Sequence, residues 1–162
     1  MRTFAISLIL TVGTVAYAMN DSTGIIPDSI AAFDLLYLGM QMDKVLSIAG
    51  TRDSLTTVPA QCAEHGPSKL HFFPGLKIET DTTCRVVQSI QVTSSRYKSI
   101  AGVAVSDSLE RIFKVYGYTQ PSYETESDTI WEYYTYSGQK KIMLFKVRHG
   151  GTIETMWLRW LP

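Results

Sequence analysis

Apolar and polar residues repeat with two different periods along this chain, and each period recurs. Within Gly39–Gly50, Met42, Val45, Leu46 and Ala49 fall on one face at helical spacing. Within Ser106–Gly117, Leu109, Ile112, Phe113 and Tyr116 do the same. The spacing predicts helices over 39–49 and 106–116, the second with Ser106 as N-cap. Gly50 and Gly117 end them, each able to take a left-handed cap that a side chain would disfavour. The period then shortens to two. Lys69–Phe73, a Pro74-Gly75 turn and Leu76–Thr80 predict a hairpin, and Arg85–Thr93 a third strand. After the second helix, Thr129–Tyr136, Lys140–Val147 and Thr152–Trp160 alternate likewise, separated by Ser137-Gly138 and Gly150-Gly151.

The two stretches align without gaps at an offset of 67 residues, pairing Leu38 with Val105, Met42 with Leu109, Val45 with Ile112, and Gly50 with Gly117. The repeated order predicts an α+β fold of two tandem repeats, residues 19–96 and 97–162. Each repeat is a helix plus a three-stranded antiparallel meander. Together they would give one continuous antiparallel sheet with both helices on one face.

Residues 1–18 belong to neither repeat. Arg2, an apolar run from Phe4 to Val15, and Ala16-Tyr17-Ala18 have the order of a cleavable export signal. Its run is short for a membrane span, and Asn20-Asp21-Ser22 follows at once. The expected mature protein starts at Met19, has no membrane span, and is periplasmic or secreted. In an oxidising compartment Cys62 and Cys84 are expected to form a disulfide, centred on the 69–80 hairpin. Such a bridge would stabilise by about 3 kcal/mol through the loop it closes. Free thiols and a metal site with His65 or His71 are the competing readings, but no zinc spacing is present.

Charge narrows the partners. Fifteen Lys and Arg balance fifteen Asp and Glu, so no basic surface for nucleic acid or anionic lipid is expected. There is no Gly-x-Ser-x-Gly elbow, phosphate-cradling glycine loop or His-Glu-x-x-His. His65, His71 and His149 have no local partners of catalytic type. The expectation is a protein without catalytic residues, metal or cofactor.

The last three strands are rich in aromatic residues. Helix 106–116 can cover only one face of them, and Ile130, Tyr134, Leu144 and Leu158 suffice to meet its stripe. Trp131, Tyr133, Phe145 and Trp157 are then the expected partner-binding residues on the other face, as large aromatics dominate binding hot spots. The alternative for these aromatics is that they complete the core. Tyr123–Asp128 is expected to be a solvated acidic connection.

Leu38-Gly39-Met40, Val45, Gly50, the hairpin and Val86-Val87-Gln88-Ser89-Ile90 resemble the first half of the β-lactamase-inhibitor-protein-like fold. Ile100–Val103, Ser106–Leu109 and Tyr116-Gly117 are similar to its second half. That group includes secreted inhibitors and small lipoproteins of outer-membrane assembly, though no lipidation Cys follows the leader here. The resemblance implies a protein that binds another protein: an inhibitor, immunity factor or envelope adaptor. The alternatives are a structural or assembly subunit of an envelope complex, or a small hydrolase or ligand-binding protein.

Overall fold

In a computed structural model, residues 24–59 and 66–161 are described. The predicted leader and Cys62 lie outside them, so the Cys62–Cys84 pairing does as well. Among the described residues, nine strands and two helices follow in the order β1 (Gly24–Ile25), α1 (Met42–Ala49), β2 (Ser54–Val58), β3 (Ser68–Phe73), β4 (Leu76–Thr80), β5 (Val87–Val92), α2 (Leu109–Tyr116), β6 (Ser122–Glu126), β7 (Thr129–Ser137), β8 (Lys141–Arg148) and β9 (Ile153–Trp160). All strands belong to one sheet, in the order β1-β7-β8-β9-β5-β4-β3-β2, with β6 also paired to β7.

This overturns the expected architecture of two helix-plus-three-strand repeats on a purely antiparallel sheet. Among the described residues strand far outweighs helix, each helix is only eight residues long, and the sheet is mixed because β1 runs parallel to β7. Across residue 96, β5 pairs with β9 and one apolar core runs through both halves. The strands missed in the sequence share a physical cause. All five residues of β6 are exposed, as are four of the five in β2, so neither strand has a buried face to impose period-two alternation. The supposed loop around Asp128 is the tip of a β6–β7 hairpin, where Ser127 and Asp128 both adopt positive φ (47° and 65°). That is the conformation of a two-residue type I′ turn, which Asn-Gly announces more plainly than Ser-Asp does.

Helix boundaries also move. Both helices begin three residues later than expected, with Gln41 and Ser108 in extended N-cap positions. Ser106 has φ 75° and caps nothing. Gly50 and Gly117 do end the helices, donating their N–H groups to Leu46 and Phe113. Their φ values are positive (86° and 83°), but ψ lies near ±150–170°. This is the region open essentially to glycine alone, beyond the left-handed helical basin.

The core lies on one side of the sheet. Met42, Val45 and Ala49 of α1, and Ile112 and Tyr116 of α2, pack onto Val87, Ile90, Tyr134, Tyr136, Phe145, Met156 and Leu158. Chain segments before α1 (Phe33, Leu36, Leu38) and before α2 (Tyr97, Val103, Val105) fill the same layer. Tyr136 ties this layer together: it is fully buried, its ring meets Tyr116 and Phe145, and its hydroxyl donates to the Gly117 carbonyl at 2.7 Å.

Candidate protein-docking face

Side chains alternate across β7, β8 and β9, so whatever points away from the helices is fixed by parity and register. Tyr134 pairs with Phe145, and Phe145 with Met156, all on the helix side. One residue along, Tyr133 pairs with Lys146, Thr135 with Leu144, and Leu144 with Trp157, all on the opposite side. Trp131, opposite Arg148, joins them. Three of the four expected partner-binding residues, Trp131, Tyr133 and Trp157, therefore share the face that no described helix covers.

Phe145 does not. It is fully buried on the helix side, 5.3 Å from the Tyr116 ring. The expectation exchanged Phe145 with its neighbour Leu144, and adjacent positions on a strand cannot share a face. Leu144 is the open-face residue, while Ile130, expected under the helix, is 47% exposed beyond its reach.

The open face is built in two levels. Tyr133 and Leu144 form a floor, only 9% and 5% exposed. Trp131 and Trp157 stand half-buried to either side, with Tyr133 stacked on Trp157 at 6.5 Å between centroids and 28° between planes. Lys146 lies across the gap, its Nζ 4.3 Å from the Trp131 ring centroid and 5.7 Å from that of Tyr133. Arg148 approaches the Trp131 ring at 5.7 Å. These cations sit over the negative faces of the rings, worth about 0.5–1 kcal/mol per contact at an exposed site.

Glu126 at the end of β6 completes the group. Its carboxylate accepts from Lys146 Nζ at 2.7 Å and from the Tyr133 hydroxyl at 3.2 Å. The Lys146 hydrogen bond holds the Glu126 carboxyl below its usual range. Burial, reinforced by the carboxylates of Glu124 and Glu126, pushes the Tyr133 phenol well above its ordinary value, so it remains a neutral donor. The acidic stretch is thus solvent-exposed as expected, but it is a pairing strand that fixes Lys146 rather than an irregular connection. Sequence reasoning missed Lys146 and Glu126 because their meeting depends on the β6–β7–β8 register, which no local pattern records.

The histidines sit elsewhere. His65 lies outside the described residues. His71 is fully buried on β3, with Nδ1 2.9 Å from Arg52 Nη1 and Nε2 3.0 Å from Thr80 Oγ1. Arginine only donates, so Nδ1 accepts and Nε2–H donates to the threonine: a neutral imidazole of fixed tautomer. Burial, then the Arg52 charge, lowers its pKa. His149 caps the far end of β8, where Nδ1 meets Glu132 Oε1 at 2.5 Å and Glu132 Oε2 accepts from Tyr134 at 2.6 Å. Among the described residues, no three His, Cys, Asp or Glu side chains are grouped to hold a metal ion. A hollow of about 100 Å³ beside α1, lined by Phe33, Leu36, Ile48 and Tyr97, is well below the size of a typical ligand pocket.

No protein-family model matches the chain, and no curated protein does. Among solved structures, a cysteine-rich secretory protein from Staphylococcus aureus subsp. aureus Mu50 is similar over 76% of this chain, with a TM-score of 0.48 and 8% identity. The chain spans 44% of that protein's length. These values assign no family.

Proposed function

We propose that this is an exported, non-enzymatic protein-binding protein that engages its partner through the helix-free face of β7, β8 and β9. The observation that carries the reading is the two-level patch itself. Trp131 and Trp157 flank a buried floor, with Lys146 held between aromatic rings by Glu126. Large rigid aromatics beside a pre-ordered cation are what binding hot spots use, because they bury much area with little loss of side-chain freedom. Export to the periplasm or beyond rests on the leader-like residues 1–18. No helix among the described residues is long and apolar enough to cross a membrane. Binding without chemistry fits the histidines' surroundings, since His71 is enclosed in the sheet and His149 is engaged by Glu132 on the other side from the aromatic patch.

The test uses the mature protein as bait for proteins of the source cell's envelope and secretions. Trp131→Ala with Trp157→Ala should abolish capture of a partner that wild type retains, with the fold intact. Tyr118→Ala with Tyr123→Ala removes two aromatics on the helix side, where Tyr118 contacts Phe113 and Tyr123 pairs with Glu132. That variant should capture normally. Equal capture by wild type and the tryptophan variant would refute the assignment.

A further inference from the structure

The two edges of the sheet are treated differently by the sequence. At one edge, β6 carries Glu124 and Glu126 and leads into Asp128, so its free side is charged. Charge on an edge strand blocks pairing with another chain. At the other edge, β2 is Ser-Leu-Thr-Thr-Val: no charge, no proline, and an unbroken register with β3 over all five residues. Among the described residues β3 is its only sheet neighbour. Leu55 is 42% exposed there, on a strand whose composition favours pairing. Within its five residues the strand lacks the charge and the proline that keep edges apart, and Lys69 of β3 donates from Nζ to Thr57 Oγ1 at 2.6 Å.

We propose that β2 is a self-association edge, at which two copies of this chain pair antiparallel across a two-fold axis at Thr56. Register decides the axis. In an antiparallel pair, residues directly opposite each other share a sheet face, so a two-fold axis normal to the sheet must lie midway between the two copies of one residue. Centring on Thr56 sets Ser54 against Val58, Leu55 against Thr57, and Thr56 against itself, which uses the whole strand. Centring on Thr57 would place Pro59 inside the ladder, opposite Leu55. Centring on Leu55 would bring in Asp53 opposite Thr57. The Thr56 register alone keeps the paired segment apolar or hydroxylated throughout, and Leu55 gains the Thr57 methyl of the other copy on each side. A second copy is the fitting occupant because the strand is complementary to itself.

The test exploits the axis. Sedimentation velocity of the mature protein should show a monomer–dimer equilibrium that shifts to dimer as concentration rises. Thr56→Lys sets two like charges directly across the axis, and so does Thr56→Glu. Each variant alone should raise the dimer dissociation constant by about fivefold or more. An equimolar mixture should restore dimers, because the pair across the axis is then of opposite charge. Thr56 is exposed in the monomer, so the melting temperatures of dilute variants should match wild type. A wild type that stays monomeric at all concentrations overturns the proposal. So does a dimer indifferent to both substitutions, or variants whose mixture remains dissociated.

Discussion

Phe145→Ala and Trp131→Ala should have opposite consequences for stability and binding. Phe145 is fully buried, and its ring lies 5.3 Å from Tyr116 and 5.9 Å from Tyr136. Truncation loses the transfer energy of a phenyl group and leaves a cavity between α2 and the sheet, costing about 3–5 kcal/mol. For a domain of this size that lowers the melting temperature by about 6–20 °C. Trp131 is half-buried on the open side, and its removal forfeits mainly the Lys146 and Arg148 contacts. The expected cost is about 1 kcal/mol. Urea unfolding followed by fluorescence reads both, since Trp157 and Trp160 remain as reporters in either variant. Equal costs, or a Phe145→Ala penalty below about 1 kcal/mol, would refute the assignment of faces.

Other consequences are as specific. Gly50→Ala and Gly117→Ala should each destabilise by about 1 kcal/mol or more on backbone grounds alone, because no atom lies within 4 Å of an added Cβ. Asn at either position should not rescue in chemical denaturation, since ψ lies outside the left-handed helical region that Asn tolerates. The lowered His71 pKa means that the unfolded chain takes up this proton first as pH falls, so the contribution of His71 is complete above about 6.5 and is lost progressively below it. Urea midpoints measured from pH 7.5 to 5 should fall, and His71→Gln should flatten that part of the profile. Thiol titration of the denatured, unreduced mature protein should find none free at Cys62 or Cys84; two would exclude the disulfide.

What was legible in the sequence follows burial. The strands β3, β4, β5, β7, β8 and β9 each press one face on the core, and their alternation shows it. The edge strands β1, β2 and β6 bury little and left no periodic trace, so the sheet was undercounted and a regular duplication was inferred from its interior alone. Parallel pairing of β1 depends on Gly24, whose missing side chain lets the strand approach the Tyr136 ring; an added Cβ would lie 2.4 Å from it. Nothing near residue 24 in the chain announces that contact. Trp131, Tyr133 and Trp157 were legible because parity along a strand is a local property. Phe145 was misplaced because parity must be carried from strand to strand through a register set by turns. The Glu126–Lys146–Trp131 arrangement spans three strands and had no local sign.

Hydroxyl-radical footprinting of the mature protein, free and bound to its captured partner, tests the central claim most directly. Trp131 and Trp157 mark the open face, while Tyr118 and Tyr123, 73% and 62% exposed, mark the helix side. Partner binding should suppress oxidation of the two tryptophans and leave the two tyrosines as reactive as in the free protein. Protection of Tyr118 and Tyr123 with Trp131 and Trp157 unchanged would place the partner on the helix side and contradict the account.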